Sequence, residues 1–511
     1  MLSLNVSIFN HFIAWVDKDP RRPAVTTLEQ TWTYQELYDK STQISYNLSN
    51  ILNNQTQRIV ILGHKSNNSV AGILGVLFSG CAYCPIDNTL PPERLNQILS
   101  MLSPYGLILT GLTFALRQAL KELKQFPLFI LDLEGDLTNT IMTSVPRIEL
   151  TSGNYIFSPD ADSPAYIIFT SGSTGKPKGV VMSHGAVNAA LSMFQEHIGV
   201  IDSDRICNQV ALCFDLSVFD IFGTLREGAH LYIAPANLSA APERLLNYIK
   251  NKRITSLFTV PSTLNYILEY AGDNFGAEPL KKILFSGEPL TEELIHKIHI
   301  HARREIDIWN LYGATEMPYV LAEHINLNKK NAQFFSLRGL GIDLKISSGD
   351  ELWVKSPALL SGYYVSPTAS LIDPLRESCW YPTGDRASID SEGNVTLFGR
   401  KDRQVKIQGH RIGLDEIESV LEKMEEIKEA AVIYLPEVLT LVAFVVLKKE
   451  IRKIENVSEI EHYCQTWLPL VMCPQVINVI NEIPKTVSGK KDRKTLREGY
   501  NDIIEIKGFT L

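Results

Sequence analysis

The chain has 511 residues, of which 45% are hydrophobic and 21% are charged, and its formal net charge at pH 7 is -8. This length exceeds what one hydrophobic core can organise, so we expect two or more domains. The acidic balance argues against a nucleic-acid-binding face, which would be basic.

The cysteine count and the apolar segments favour a cytoplasmic protein. Seven cysteines are an odd number in a long chain, which indicates reduced thiols. Residues 1–20 lack the basic start of a signal peptide and become polar too early. The apolar run at residues 71–86 is interrupted by glycine, serine and proline and is too short to span a membrane. Neither a secreted nor a membrane-spanning protein is expected.

The predicted elements alternate between strands and helices along most of the chain. Residues 58–63 form a short apolar run typical of a buried strand, and residues 67–80 have the apolar spacing of a helix. Similar strands, each leading into a loop or a helix, are predicted from residues 165, 253 and 281 onward. This alternation predicts an α/β protein with mostly parallel sheets.

The sequence changes character near residue 402. A charged amphipathic helix is predicted over residues 414–427, followed by a pair of strands and a further helix. We therefore expect a large amino-terminal domain over residues 1–401 and a small α+β domain over residues 402–511, a size that suits an independent domain.

The densest run of small residues, FTSGSTGKPKGV at residues 169–180, is typical of a loop that holds phosphate. Glycines allow positive φ and close backbone approach, so consecutive N–H groups can converge on phosphate oxygens. A Walker A loop is excluded, because Thr170 replaces its first glycine and Pro177 replaces its magnesium-binding hydroxyl. Taken alone, the stretch could also be a flexible surface loop.

This loop resembles the phosphate loop of the adenylate-forming enzymes, which include acyl-CoA synthetases, luciferases and the adenylation domains of nonribosomal peptide synthetases. Further motifs of that superfamily follow in its order along nearly the whole chain. They are WTYQEL (32–37), GCAYCPIDNTLPPERL (80–95), FDLSVFD (214–220), NLYGATE (310–316), GDELWV (349–354), YPTGD (381–385), GRKDRQVKIQGHRI (399–412), LPLVMCP (468–474) and PKTVSGKKDRKTL (484–496). Each motif is weak evidence alone, but so many in order are strong.

The resemblance implies that a carboxylate and ATP form an acyl-adenylate and pyrophosphate, after which the acyl group passes to a thiol. Positioning and charge stabilisation would dominate such a reaction. The resemblance assigns ATP and AMP contacts to Thr170, Ser171, Gly172, Ser173, Thr174, Gly175, Lys176, Asn310, Tyr312, Gly313, Thr315, Asp385 and Arg400.

Individual roles follow from the same resemblance. Glu316 would hold Mg²⁺, which binds few protein ligands when phosphates supply the rest. Asp385 would accept hydrogen bonds from both ribose hydroxyls, Tyr312 would stack near the adenine, and Arg400 would reach the ribose or the phosphates. Judged without the family, Asp385 could be a turn residue and Glu316 a solvated acid.

The carboxyl-terminal motifs assign a catalytic lysine and a hinge. Lys490 would counter the negative charge that develops during adenylation, although it could also be one cation of a charged tail. Asp402 would be the hinge about which the small domain swings between adenylation and thiol transfer. Gly409 would lie in the loop that lines the approach of the thiol. Gln408 and Gly413 depart from the usual pattern, which leaves the partner contacts of this loop open.

The pocket for the acid is assigned from the FDLS motif onward. Asp215 would pair with a substrate α-ammonium, because an unpaired charge beside an apolar substrate is costly; it could instead cap the following helix. The remaining pocket residues are Leu216, Phe219, Phe258, Leu284, Ser286, Leu311, Tyr319 and Val320. This apolar lining is similar to that of proline-activating enzymes of the anatoxin type, so L-proline is the expected substrate, ahead of valine or alanine.

The sequence contains neither a GGxS carrier motif nor an HHxxxDG condensation motif. The expected enzyme is therefore freestanding and loads a separate carrier protein through its phosphopantetheine thiol, with ATP and Mg²⁺ as cofactors. An acyl- or aryl-CoA ligase is the alternative within enzymes, and a non-catalytic adenylate-binding protein is the alternative outside them.

Overall fold

A computed structural model describes most of the chain. The described residues are 7–53, 57–121, 129–134, 148–171, 177–235, 238, 241–271, 275, 279–301, 306–325, 334–366, 371, 379–448, 457–486 and 490–506.

Helices and strands alternate through the amino-terminal four-fifths of the chain. The helices are α1 (Asn10–Lys18), α2 (Tyr34–Leu52), α3 (Asn67–Phe78), α4 (Pro92–Leu102), α5 (Phe114–Lys121), α6 (His184–Ile198), α7 (Leu216–Val218), α8 (Thr224–Arg226), α9 (Pro242–Asn251), α10 (Pro261–Ala271), α11 (Glu292–His301), α12 (Leu414–Leu421), α13 (Val457–Trp467) and α14 (Arg493–Ile506). A π-helical turn, Phe219–Gly223, joins α7 to α8.

Strands occur along most of the chain, from residue 23 to residue 479. They are β1 (Pro23–Thr26), β2 (Thr31–Thr33), β3 (Arg58–Gly63), β4 (Ala82–Asp87), β5 (Gly106–Thr110), β6 (Phe129–Asp132), β7 (Pro164–Thr170), β8 (Lys178–Ser183), β9 (Arg205–Asn208), β10 (His230–Ile233), β11 (Ser256–Thr259), β12 (Lys282–Phe285), β13 (Asp307–Ala314), β14 (Met317–His324), β15 (Phe334–Phe335), β16 (Leu337–Arg338), β17 (Asp343–Ile346), β18 (Glu351–Lys355), β19 (Gly362–Tyr364), β20 (Tyr381–Ile389), β21 (Val395–Arg400), β22 (Gln404–Ile407), β23 (His410–Gly413), β24 (Ile427–Leu435), β25 (Thr440–Leu447) and β26 (Val476–Val479).

The chain forms two compact units. The first contains residues 1–88, 99–169 and 179–401, and the second contains residues 89–98, 170–178 and 402–511. The second unit thus includes two short segments, residues 89–98 and 170–178, that precede the predicted boundary at residue 402. The boundary itself stays a prediction.

The first unit is built around two large sheets. Their described strands follow the orders β16-β14-β13-β12-β11-β9-β10-β1-β2 and β19-β8-β7-β4-β3-β5-β6, and a smaller sheet has the order β15-β21-β20-β18-β17. Strands β9 to β13 pair in parallel wherever they are neighbours. Their carboxyl ends therefore lie at one edge of the sheet, where open α/β sheets place their ligands.

Short sequence features determine where helix α2 begins and how closely helix α3 packs on it. Thr33 and Glu36 form a reciprocal capping box at the start of α2, which satisfies backbone N–H groups that lack helical partners. Helix α3 packs closely on α2, because a Cβ atom at Gly75 would lie only 2.6 Å from the Ile44 side chain. The same contact explains why glycine occurs inside this buried helix.

The second unit has its own small core. Strands β24, β25 and β26 form one sheet and β22 pairs with β23, while apolar residues such as Ile417, Leu421 and Leu441 are fully buried beside them. Gln408 and Gly409, at the turn between β22 and β23, both have positive φ, as tight two-residue hairpins require.

The predicted α/β class with a large and a small domain is confirmed. One helix is shorter than predicted: the amphipathic pattern over residues 414–427 gives a helix that ends at Leu421, because Ile427 already pairs with Leu447 in the sheet. Among the described helices, none is both long and apolar enough to cross a membrane.

Candidate active site

Three residues assigned to ATP lie together in the first unit. Tyr312, on β13, donates a hydrogen bond of 2.6 Å to Oδ2 of Asp385, and Arg400 Nη1 donates one of 3.1 Å to Oδ1. Asp385 and Arg400 face each other directly across β20 and β21. Their side chains are 14% and 12% exposed. Asp385 therefore lies in a strand and is not the turn residue of the alternative interpretation.

This arrangement suits a carboxylate that receives further donors. Each carboxylate oxygen has two lone-pair directions, and Tyr312 and Arg400 each approach a different oxygen of Asp385. The group can thus still accept the two hydroxyls of a ribose. Burial and the nearby Asp385 raise the pKa of Tyr312 well above its ordinary value, so the phenol remains a neutral donor.

Glu316 lies in the tight turn between β13 and β14 and is fully buried. Tyr363, on β19, donates a hydrogen bond of 2.9 Å to Glu316 Oε1, and its hydroxyl also lies 3.0 Å from that of Tyr381. The turn requires Gly313, because a Cβ atom there would lie 2.5 Å from the Pro318 carbonyl oxygen. The alternative interpretation of Glu316 as a solvated acid is wrong.

Glu316 has the donor chemistry that Mg²⁺ prefers, a carboxylate oxygen. Within the described ranges, no group of three or more acidic, histidine or cysteine side chains surrounds a possible metal position. A Mg²⁺ ion at Glu316 would therefore take most of its ligands from phosphate and water. Such a shell fits the single-carboxylate role assigned to this residue, which stays a prediction.

The phosphate loop is described only at its two ends. Thr170 closes β7, and its buried hydroxyl has no hydrogen-bond partner among the described residues. Ser171 is buried and donates to the backbone carbonyl of Arg411 within the second unit. The predicted phosphate contacts Gly172, Ser173, Thr174, Gly175 and Lys176 lie outside the described residues.

Asp215 lies immediately before helix α7 and is half-buried. Within the described structure its side chain makes no capping hydrogen bond to that helix, so the capping interpretation is wrong. The helix is one turn long and continues into the π-helical turn that carries Phe219. Such π-turns inside helices are frequent at functional sites.

The predicted pocket residues meet in an aromatic cluster. The ring centroid of Phe219 lies 6.1 Å from that of Phe258 and 6.3 Å from that of Tyr319. Leu284 is the direct partner of Phe258 between β11 and β12, which places both on one face of the sheet. The remaining predicted pocket residues are also buried: Leu216, Ser286, Leu311 and Val320.

Helix α6 supplies two pocket neighbours that the sequence did not indicate. The Phe194 ring lies 5.0 Å from Phe219 and 6.1 Å from Phe258, and His197 Nδ1 lies 2.7 Å from the Tyr319 hydroxyl. A cavity of about 10 Å³ remains between Phe194, Phe219 and Phe258, which is room for about one water molecule.

Two ionisable residues that contact Asn208 were also missed. Asp220 is 2% exposed and accepts a hydrogen bond of 2.9 Å from Asn208 Nδ2; burial raises its pKa to about 7. Lys65 Nζ donates to the carbonyl oxygens of Asn208 and Gln209, and burial lowers its pKa to about 8. Asp220 belongs to the FDLSVFD motif, which could have indicated it.

The catalytic candidate of the second unit is hydrogen-bonded to Thr486. Lys490 is exposed, its N–H donates to Thr486 Oγ1 at 3.2 Å, and its carbonyl accepts from the Thr486 N–H at 2.7 Å. Lys485 and Lys491 form an isolated β-bridge around it. Asp402, the predicted hinge, is exposed between β21 and β22 and accepts a hydrogen bond from the Gln404 N–H.

Comparison with known proteins decides the family. Residues 12–364 match the model of a family described as AMP-binding enzyme, and residues 416–490 match that of the AMP-binding enzyme C-terminal domain. The chain belongs to the AMP-binding enzyme family. Members use ATP, and this one is an adenylation domain of the nonribosomal peptide synthetase type.

Individual relatives of this AMP-binding enzyme cover it almost completely. AMB antimetabolite synthetase AmbB of Pseudomonas aeruginosa is 31% identical over 95% of the chain, which spans only 38% of AmbB. Zwittermicin A synthase ZmaJ of Bacillus cereus is 30% identical over 94% of the chain and 93% of its own length. The adenylation domain AlmE of Vibrio cholerae, solved with glycyl-adenosine-5'-phosphate, has the same fold, with a TM-score of 0.81, 22% identity, and coverage of 98% of this chain and 99% of AlmE.

Proposed function

We propose that this AMP-binding enzyme activates an amino acid as aminoacyl-AMP with release of pyrophosphate and then transfers it to the phosphopantetheine thiol of a carrier protein. The observation that carries the proposal is the placement of Asp215. It is half-buried, does not cap its helix and precedes the aromatic cluster of Phe219. A carboxylate at this position attracts the α-ammonium of an amino-acid substrate by its opposite charge.

The pocket supports a small substrate without a charged side chain. Phe194, Phe219, Phe258 and Tyr319 line it with rings that carry no charge, so a charged side chain would lack a partner among them. Among small amino acids we propose L-proline, with valine and alanine behind it, because a compact aliphatic side chain presents only apolar surface to this lining.

The nucleotide would be held by residues of the first unit. Asp385 accepts the ribose hydroxyls while Tyr312 and Arg400 fix its two oxygens. Glu316, oriented by Tyr363, would bind Mg²⁺, which supplies positive charge to the phosphates when bound. Lys490 adds charge where it develops as the carboxylate attacks the α-phosphorus, and pyrophosphate leaves.

The second half-reaction is proposed to follow movement of residues 402–511 about Asp402. The exposed position of this residue between two strands of different sheets supports it as a hinge, since hinges are a few loop residues that absorb backbone rotation. The thiol would attack the adenylate carbonyl, form a thioester and release AMP. We infer that a carrier protein is the partner and that the enzyme is cytoplasmic.

Amino-acid-dependent exchange of pyrophosphate into ATP tests this proposal. Exchange with proline, and weaker exchange with valine or alanine, supports it. Exchange with fatty or aryl acids but with no amino acid would instead establish the alternative, an acyl- or aryl-CoA ligase. The same assay with the Lys490→Ala variant tests the catalytic lysine, and loss of exchange with retained ATP binding is expected.

A further inference from the structure

One buried carboxylate of the second unit collects an unusual number of donors. Glu418, on α12, has a side chain that is only 6% exposed. Its Oε1 accepts from Arg403 Nη2 at 2.7 Å and from the Val432 N–H at 2.8 Å. Its Oε2 accepts from Arg493 Nη2 at 2.7 Å and from Lys491 Nζ at 3.2 Å.

The three cations come from two functionally assigned segments. Arg403 directly follows the proposed hinge Asp402, whereas Lys491 and Arg493 follow Lys490 by one and three residues. Glu418 thus joins the strand that starts after the hinge to the segment that carries the catalytic lysine. All of these residues belong to the same compact unit.

The geometry of these contacts is restrictive. Arg493 approaches Glu418 with its Nε and its Nη2 at 3.1 and 2.7 Å, the forked arrangement that fixes a guanidinium in direction as well as distance. Lys491 is held further by the Ala430 carbonyl at 2.6 Å and by Glu422 at 2.9 Å. Two of the three residues that follow Lys490 are therefore fixed.

The charge of Glu418 is required for this arrangement. Although burial raises the pKa of the carboxyl group, hydrogen bonds from Arg493 and Arg403 lower it to about 2, so the group is ionised at neutral pH. Without the carboxylate, the partly buried cations Arg403, Lys491 and Arg493 would face one another with less compensation, which is unfavourable.

We propose that Glu418 is a positioning residue that holds the backbone of Lys490 where its ammonium can act in adenylation. The inference rests on the proposed role of Lys490. Because that side chain is exposed and long, the position of its backbone decides where the ammonium can reach. Thiol transfer, which does not use Lys490, should not depend on Glu418.

The test compares the two half-reactions in the Glu418→Gln variant, which keeps the shape of the side chain and removes its charge. We expect kcat of adenylation to fall by about 100-fold, as for small misplacements of a reacting group. The KM values for ATP and amino acid should change less than about twofold, since the substitution removes no contact that holds the bound substrates before the reaction. Thioester formation from chemically prepared aminoacyl-AMP should stay at the wild-type rate.

Two further variants distinguish a loss of positioning from simple unfolding. Glu437→Gln removes an exposed ion pair with Arg497, one turn after Arg493 on α14, and should leave both half-reactions unchanged. Arg493→Lys keeps the charge but loses the fork, so it should lower adenylation selectively if Glu418→Gln does not fold. Equal loss of both half-reactions in these variants would overturn the inference and assign Glu418 a structural role.

A double-mutant comparison identifies the residue through which Glu418 acts. In the Lys490→Ala background, Glu418→Gln should cause no further loss of adenylation, because coupled residues are not additive. Additive losses would overturn the inference. If the wild type exchanges pyrophosphate with no amino acid, the proposed function fails; if it does exchange and only Lys490→Ala loses activity, the positioning role of Glu418 alone fails.

Discussion

Tyr312 donates a 2.6 Å hydrogen bond to Oδ2 of Asp385, while Arg400 occupies the other oxygen of the same carboxylate. The tyrosine comes from the large nine-stranded sheet and the aspartate from the smaller sheet of the first unit. This bond therefore fixes the proposed ribose acceptor relative to the strand that leads to Glu316. It links the two parts of the proposed nucleotide site.

Tyr312→Phe tests this link. The variant keeps the buried ring and removes only the donor, so the KM for ATP should rise by about tenfold, since hydrogen bonds to charged groups contribute about 1.5 kcal/mol or more. The matched control is Tyr364→Phe, which removes a buried tyrosine hydroxyl bonded to the Leu102 carbonyl. Equal effects of both variants on the KM would contradict a specific role of Tyr312.

Tyr363→Phe tests the placement of Glu316. Loss of the 2.9 Å hydrogen bond should leave Glu316 less well oriented and raise the Mg²⁺ concentration needed for half-maximal exchange by about fivefold, because ligands depend on their hydrogen-bond partners for orientation. A Mg²⁺ titration measures this. Tyr248→Phe, which loses a bond to the Ile233 carbonyl, is the control. An unchanged Mg²⁺ dependence in Tyr363→Phe would count against Glu316 as the ligand.

Asp215→Ala should weaken the binding of amino-acid substrates without weakening the binding of ATP. The KM for proline should rise by about 100-fold, because a paired charge in a half-buried site loses its partner, while the KM for ATP stays nearly constant. Cyclopentanecarboxylic acid, which lacks the amine, provides a second readout: the variant should discriminate against it less than the wild type does. A proline KM that does not change would show that the pocket assignment is wrong.

Asp220 should make stability depend on pH. Its pKa is raised to about 7 by burial, so between about pH 4 and 7 the folded state binds a proton that the unfolded state has lost, and stability falls as pH rises. Asp220→Asn removes this titration. The melting temperature of the variant minus that of the wild type should therefore be more positive at pH 8 than at pH 5. The exposed Glu243→Gln variant is the control.

A difference in melting temperature between Asp220→Asn and wild type that does not vary with pH would contradict the raised pKa of Asp220.

Lys65 makes stability depend on pH in the opposite direction and in a higher pH range. Burial lowers its pKa to about 8, so the unfolded state binds the additional proton above that pH and stability rises as pH rises further. The histidines His184 and His230, whose pKa values burial lowers to about 4, also contribute between pH 5 and 8, so the difference between Asp220→Asn and the wild type at each pH is the quantity that reports on Asp220.

The sequence predicted the fold class and most of the residues that the structure brings together. Motifs identified Tyr312, Asp385 and Arg400 as site residues, but not the bonds among them, because partners on different strands are set by sheet register. Phe194 and His197 were missed since an apolar residue and a histidine on an amphipathic helix indicate only a core-facing surface. Their proximity to Phe219 and Tyr319 depends on how α6 packs on the sheet.

Lys65 and Asp220 were missed for a related reason. Charged residues are expected at the surface, and nothing in the local sequence around Lys65 indicates that two backbone carbonyls of β9 and its following loop will receive its ammonium. Helix α12 was predicted too long because the charged residues after Leu421 continue its polar pattern. Tertiary pairing of Ile427 with Leu447 overrides that local preference.

Pyrophosphate exchange with each of the twenty amino acids tests most directly whether Asp215 belongs to a pocket for a small amino acid. We expect exchange with L-proline well above that with any charged or large aromatic amino acid, a strongly raised proline KM in Asp215→Ala, and loss of exchange in Lys490→Ala. Exchange that is absent for every amino acid but present for fatty or aryl acids would contradict an amino-acid pocket at Asp215.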